Sequence, residues 1–233
     1  MMNFKDAMET AWSQEYQRKG IPSSFRKDPT KVLVEFIAWA KERGKTEGFA
    51  ADIGCGQGRN SFYLVSQGFH VAAIDLLQEN ADSINDTAKK NHLPVRAYAQ
   101  TVAGTWPIAP NSLDIAIDIF CYKHVTLKEG QKKYRNSLWN SLKPDGHYFI
   151  SLASDRDGFY GPLLDDSTNP DEKLIIDPHS NIPSFLYSLE DLIAEFSDLF
   201  ELIEARETSS ISPMYGKEYQ RSVLNCIFKK RSP

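Results

Sequence analysis

The sequence predicts a doubly wound α/β fold, a mostly parallel sheet covered by helices on both faces. Three observations predict it. Short apolar runs alternate with stretches of helical period between residues 28 and 152. The stretch "DIGCGQGRN" (Asp52 to Asn60) sets three glycines at every second position between a strand-like and a helix-like segment. The chain then closes on two strand-like runs with no helix between them.

The elements follow in order. "DPTKVLVEFIAWAKERG" reads as an amphipathic helix with Asp28 as N-cap, Pro29 at its first position, Leu33, Phe36, Ile37 and Ala40 on one face and Gly44 closing it. "FAADI" (49–53) is a short buried strand, and "SFYLVSQG" after the glycines is a helix ending at Gly68. "HVAAID" (70–75) is a second strand; Leu77, Ala81, Ile84 and Ala88 then recur at helical spacing up to Asn91. "PVRAYA" and "LDIAIDIF" (113–120) supply a third and a fourth strand. In "TLKE", Thr126 and Glu129 have capping-box spacing ahead of a helix carrying Tyr134, Leu138 and Leu142. "HYFISL" (147–152) is the fifth strand. "SLEDLIAEF" is a helix capped by Ser188, and "FELIEARE" and "RSVLNCIFKK" are strands that should pair antiparallel, having no crossover helix.

Composition limits the function classes. Of 233 residues, 41% are hydrophobic and 25% charged, and no apolar run approaches the ~20 residues of a membrane helix. The first twelve residues mix charged and apolar types, unlike a secretory signal, so a cytoplasmic protein is expected. Cys55, Cys121 and Cys226 are too scattered for a disulfide framework or a zinc site, and no metal is expected. A net charge of -4 without a long Lys/Arg run disfavours nucleic acid as the main partner and favours a small molecule.

The glycine stretch stands where an open α/β sheet holds its ligand, at the carboxyl end of a strand. Gly54, Gly56 and Gly58 permit a sharp turn and close approach of a ligand to the backbone, and the next helix offers free N–H groups to an anion. The spacing is G-x-G-x-G, with Arg59 where the dinucleotide fingerprint continues, so a tight turn without a ligand stands beside the nucleotide-site reading. Asp75 narrows the choice. It ends the second strand about 20 residues on, where a carboxylate accepts both hydroxyls of a ribose; the alternative is a solvated turn aspartate.

Together, Asp52, the G-x-G-x-G loop, Asp75 and "LKPDG" (142–146) resemble the class I S-adenosylmethionine-dependent methyltransferases, from about Phe49 to Leu152. The run "CGQGRNSFYLVSQGFHVAAID" is most similar to small-molecule members of the tellurite-resistance and thiol-methylating type. The resemblance implies a Rossmann-like sheet of seven strands in the order 3-2-1-4-5-7-6 with the last strand antiparallel, and methyl transfer from S-adenosylmethionine to a small-molecule nucleophile by in-line displacement, leaving S-adenosylhomocysteine. It implies a cofactor set of Asp52, Gly54, Cys55, Gly56, Gly58, Asn60, Asp75, Leu76, Gln100, Thr101, Asp118 and Phe120. Asp75 would hold the ribose and Leu76 would flank the adenine. In the loop after the third strand, where many members carry an aspartate, this chain reads "YAQTVAG", so Gln100 or Thr101 takes that place.

"DIFCYKH" after the fourth strand contains the catalytic candidates. His124 is read as a base or as a packing residue, and Tyr122, with Phe120, as a wall beside the methyl donor. Cys55 is a small filler rather than a nucleophile. The expected organisation is one domain over 1–233: an N-terminal lid or helix (1–27), a cofactor core (28–152), a substrate-side insertion (153–187) and a C-terminal helix with a strand pair (188–233). Trp12, Tyr16 and Phe25 are candidate lid residues, and Met214, Tyr215 and Arg221 candidate pocket residues. The insertion carries Asp155, Asp157, Asp165, Asp166, Asp171 and Glu172, read as a solvated face or as an acidic rim favouring a cationic substrate. A protein or RNA methyltransferase, or a non-catalytic binder of the cofactor, are the alternatives; "DIFCY" lacks the prolines of a base-amine methyltransferase turn.

Overall fold

The structure is a computed structural model that describes residues 4–165 and 173–231; Asp166, Asp171 and Glu172 lie outside them. Seven strands form one sheet: β1 (Gly48–Ile53), β2 (Phe69–Asp75), β3 (Val95–Ala99), β4 (Leu113–Ile119), β5 (Leu142–Ala153), β8 (Phe200–Met214) and β9 (Lys217–Lys230). Across the sheet they run β3-β2-β1-β4-β5-β9-β8, which in chain order of these strands is the expected 3-2-1-4-5-7-6. β1 to β5 are parallel neighbours, and β9 is antiparallel to both β5 and β8. A separate two-stranded antiparallel sheet, β6 (Leu174–Ile176) and β7 (Pro183–Phe185), folds from the insertion.

Strands buried on both faces need a helical layer on each. On one face α3 (Lys31–Glu42), α4 (Arg59–Ser66) and α5 (Gln78–Asn91) bring Leu33, Phe36, Ile37, Leu64, Ala81 and Ile84 onto Ala50, Ala73, Ile115, Ile117 and Phe149. On the other, α6 (Lys128–Ser141) and α7 (Leu189–Phe196) set Tyr134, Leu138, Leu192 and Phe196 against Ile53, Ala116, Tyr148, Ile150 and Phe228. A third apolar cluster joins Ile21, Phe159, Tyr160, Ile175, Leu186 and Met214. It ties the N-terminal helices α1 (Phe4–Arg18) and α2 (Pro22–Phe25), the insertion and the β8–β9 hairpin tip into one cover at the carboxyl edge of the sheet.

Ser188 caps α7 with a reciprocal capping box to Asp191, as its sequence predicts. The other two predicted caps differ. α3 begins after Thr30 rather than Asp28, because Asn60 Oδ1 accepts from both the Thr30 N–H and its hydroxyl and anchors the turn from α4. α6 begins after Leu127 rather than Thr126, with no side-chain cap; the backbone stays extended one residue longer. β5 starts at Leu142 rather than His147, since "LKPDG" enters the sheet through a register shift opposite Leu113–Ile115. The segment expected to link the last two strands is strand itself, turning only at Tyr215 and Gly216.

Candidate active site

A cavity of about 470 Å³ opens at the carboxyl edge of the parallel strands. The chain turns there after β1, β2 and β4. After β1, Gly54, Gly56 and Gly58 have φ of +74°, +54° and +82°, backbone that L side chains rarely adopt. After β4, Phe120 holds a φ of +67°, rare for a non-glycine residue. Its N–H donates to Ser151 O at 2.8 Å, and the bend carries residues 121–124 across the sheet end.

Asp75, at the end of β2, is buried at 8% exposure yet lines the cavity. Its Oδ2 accepts the Gly56 N–H at 2.8 Å; its Oδ1 accepts Leu77 N–H at 3.0 Å and Asn80 Nδ2 at 2.9 Å. Burial raises its pKa, and those three donors oppose the shift. Beside it, Leu76, Thr101, Val102 and Ala103 form a largely apolar wall suited to a flat ring. Arg59 and Arg26 line the same cavity and suit a carboxylate. A carboxylate for hydroxyls, an apolar slot and guanidinium groups are the donor set that S-adenosylmethionine needs, so these residues fit that cofactor.

Of the predicted residues, Gly54, Asp75, Leu76, Thr101, Phe120 and His124 are brought to the cavity wall. The others stand behind it. Asp52 is buried and accepts the Ser61 hydroxyl at 2.6 Å; burial raises its pKa to about 7. Gly56 faces the Tyr16 hydroxyl, which a Cβ there would overlap, and Gly58 packs against Ile84 and Phe62. Cys55 is a buried free thiol whose pKa burial pushes well up, consistent with packing. Asn60 is committed to Thr30. Gln100 turns its amide onto Thr105 O at 3.1 Å.

Asp118 is fully buried. Its Oδ1 accepts from Cys121 and Tyr122 N–H and its Oδ2 from the Tyr134 hydroxyl at 2.6 Å. It fastens the bend after β4 rather than meeting a ligand. Tyr122 requires correction: it is fully buried among Tyr134, Tyr187 and Phe196, and its hydroxyl donates to Glu195 at 2.7 Å, inside the core and away from the cavity.

His124 Nδ1 lies 3.0 Å from Pro183 O and 3.1 Å from Ser184 Oγ, and its ring meets Trp12 edge-on at 5.0 Å. Burial, with Lys123 beside it, lowers its pKa to about 3, so the ring is neutral near pH 7 and a weak base. Trp12, Tyr16, Met214 and Arg221 line the cavity; Phe25 and Tyr215 do not. Tyr215 instead stacks on His179 and donates to Asp177.

Sequence reasoning passed over Lys123, Tyr160 and Arg59. All three line the cavity, whose charged wall is mostly cationic: Lys5, Arg26, Lys31, Arg59, Lys123 and Arg221 against Asp75. Of the six acids in the insertion, Asp155, Asp157 and Asp165 lie among the described residues, and none of the three lines the cavity. Asp157 is buried and paired with Arg221, and Asp155 is paired with Lys173. Among the described residues, no group of three or more His, Cys, Asp or Glu is arranged to hold a metal, and no helix is long and apolar enough to cross a membrane.

Residues 50–146 match the family model of a methyltransferase domain. A ubiquinone biosynthesis O-methyltransferase of Rickettsia canadensis is 33% identical over 104 residues, which is 44% of this chain and 42% of that protein. The chain thus aligns with less than half the length of that relative. In fold, a SAM-dependent methyltransferase of Methanosarcina mazei superimposes with a TM-score of 0.71 at 16% identity, covering 88% of this chain and 100% of its own. The 1,6-didemethyltoxoflavin-N1-methyltransferase of Burkholderia thailandensis, solved with 1,6-didemethyltoxoflavin and S-adenosylhomocysteine bound, gives 0.69 at 19% identity, covering 97% and 88%. Residues 50–146 therefore carry the signature of a methyltransferase domain, on a chain whose fold is that of the class I S-adenosylmethionine-dependent methyltransferases.

Proposed function

We propose that the protein transfers a methyl group from S-adenosylmethionine to an oxygen of a small molecule. The observation that carries the reading is one cavity lined both by Asp75, Leu76 and Arg59 and by Phe120, Lys123, His124 and Tyr160. The first group offers a place for the cofactor, the second a place for the acceptor. Trp12 and Tyr16 from α1 line the same cavity and would shield the reacting atoms from water, the role of a lid.

When bound, the cofactor supplies a methyl on a sulfonium, which an in-line nucleophile displaces with the bonding electron pair passing to sulfur. The chain's own residues have to orient the acceptor and accept its proton. A thiol or metalloid acceptor, the narrower expectation from the glycine-loop resemblance, needs less help with a proton. The names of the relatives favour oxygen, as does a wall rich in cations that would settle an oxyanion.

The test is incubation of the protein with methyl-labelled S-adenosylmethionine and fractionated cell extract, scoring small-molecule, RNA and protein fractions separately. Label in an organic-extractable, base-stable ether supports the proposal. Label confined to RNA or protein, or cofactor binding with no labelled product, rejects it.

A further inference from the structure

Lys123 lies in the short 3₁₀ turn Tyr122–His124 and is 1% exposed. The residue is part of the cavity lining, and its Nζ is buried with no hydrogen-bond partner among the described residues. A buried ammonium without a carboxylate is costly, and the usual remedy, a nearby acid, is taken by other groups. On the stretch after β5, Asp157 Oδ2 accepts Arg221 Nε at 2.7 Å and Ser222 N–H at 3.1 Å, while its Oδ1 accepts Phe159 and Tyr160 N–H. Between β6 and β7, Asp177 accepts the Tyr215 hydroxyl and the His179 N–H. What Lys123 faces instead is aromatic: its Nζ is 3.5 Å from the Tyr160 ring centroid and 5.8 Å from that of Phe120. Arg221, from β9, approaches the same Tyr160 ring at 5.3 Å.

We propose that the Lys123 amine takes the proton of the acceptor's hydroxyl and then serves as counter-ion to the oxyanion, so that the acceptors are acidic hydroxyls of the phenol or enol class. This rests on the methyltransferase reading of the same cavity. The acceptor O–H bond breaks with its electron pair left on oxygen; the Lys123 lone pair forms the new N–H bond, and the ammonium later returns the proton to water. Burial and the Arg221 charge lower the amine's pKa to about 7, with Asp157 and Asp177 acting the other way. A substantial share of the amine is therefore neutral and basic at neutral pH, whereas His124 is a far weaker base. A base of that strength matches hydroxyls of comparable acidity and not aliphatic alcohols. The aromatic wall of Phe120 and Tyr160 suits a flat conjugated acceptor.

The probe is 4-nitrophenol, whose phenol and phenolate absorb at different wavelengths. It is added at pH 6 to the protein with and without S-adenosylhomocysteine, whose own binding is read by calorimetry. Wild type should hold the probe with a phenolate band at least threefold stronger than free probe at that pH. K123M should lose the excess band, and K123R, which keeps a charge, should retain it. With turnover, the rate of wild type should show an ionisation near pH 7 that K123M lacks. A bound probe that stays un-ionised in wild type, an equal band in K123M, or no probe binding overturns the proposal. Absence of S-adenosylhomocysteine binding rejects the methyltransferase reading instead, and the band recorded without it still decides the role of Lys123.

Discussion

At the residue scale, neighbours one position apart have opposite fates. "DIFCYKH" displays Tyr122, Lys123 and His124 as equals, but the left-handed bend at Phe120 and the Asp118 carboxylate that caps the turn rotate Tyr122 into the core and Lys123 into the cavity. That choice depends on one backbone angle and was not legible in the sequence. Asp75 was legible, because its place at the end of the second strand follows from strand order alone. Asp75→Ala should weaken S-adenosylhomocysteine binding by about 2 kcal/mol, since it removes an acceptor for ligand hydroxyls and frees the Gly56, Leu77 and Asn80 donors. Calorimetry reads this directly, and unchanged affinity in a folded variant would exclude the ribose role. Lys123 carries a stability cost as well. Its folded pKa of about 7 lies below the ordinary 10.5, so below pH 7 both states are protonated and the fold bears the whole cost of a buried cation. Lys123→Met should raise the melting temperature at pH 6, with a gain that shrinks as the pH rises through 7 toward 9. A loss of stability at pH 6 would show that the amine is well satisfied in the fold.

At the element scale, the strands and helices of the core were readable because their apolar residues repeat at two or at 3.6 positions. Helix starts were less so. The partner of Thr30 is Asn60, thirty residues away, and no local pattern announces it. The cover over the cavity was legible in part, since Trp12 and Tyr16 lie in a segment outside the core, but the clamp that holds it was not. At the hairpin tip, Tyr215 N–H donates to Gly20 O at 2.7 Å, and its ring fills the space where a Cβ at position 20 would stand. The absence of a side chain at Gly20 is what lets β8–β9 grip the end of α1. Gly20→Ala should push the two apart. Amide exchange along Phe4–Arg18 should accelerate about tenfold while that of α6 stays unchanged. Equal protection of α1 in the variant would mean that the hairpin does not hold the helix.

At the scale of the whole molecule, the parallel sheet gathers acidic groups at one edge and pays for them in desolvation. Asp52 and Asp118 stand at the carboxyl ends of neighbouring β1 and β4, and burial raises them to about 7 and about 6. Two histidines are shifted the opposite way, His124 to about 3 and His147 to about 4, each chiefly by desolvation. The signs oppose. Between pH 4.5 and 6.5 a raised carboxyl holds a proton in the fold that the unfolded chain has released, so its contribution to stability grows on acidification. Over the same range a lowered histidine stays neutral in the fold while the unfolded chain binds a proton, so its contribution falls on acidification. Each group thus offsets one of the other kind. Asp52→Asn removes one carboxyl and should leave the histidines less opposed: relative to wild type, stability should fall on acidification more steeply by about 1.4 kcal/mol per pH unit at most. His124→Gln keeps a donor for Pro183 O and removes a proton difference of the other sign, so its slope should tilt the opposite way. Urea unfolding at pH 4.5, 5.5 and 6.5 measures both slopes. Parallel slopes in all three proteins would mean that these buried groups titrate in the fold as they do in the unfolded chain, and that the charge arrangement at the sheet edge contributes nothing to the response to pH.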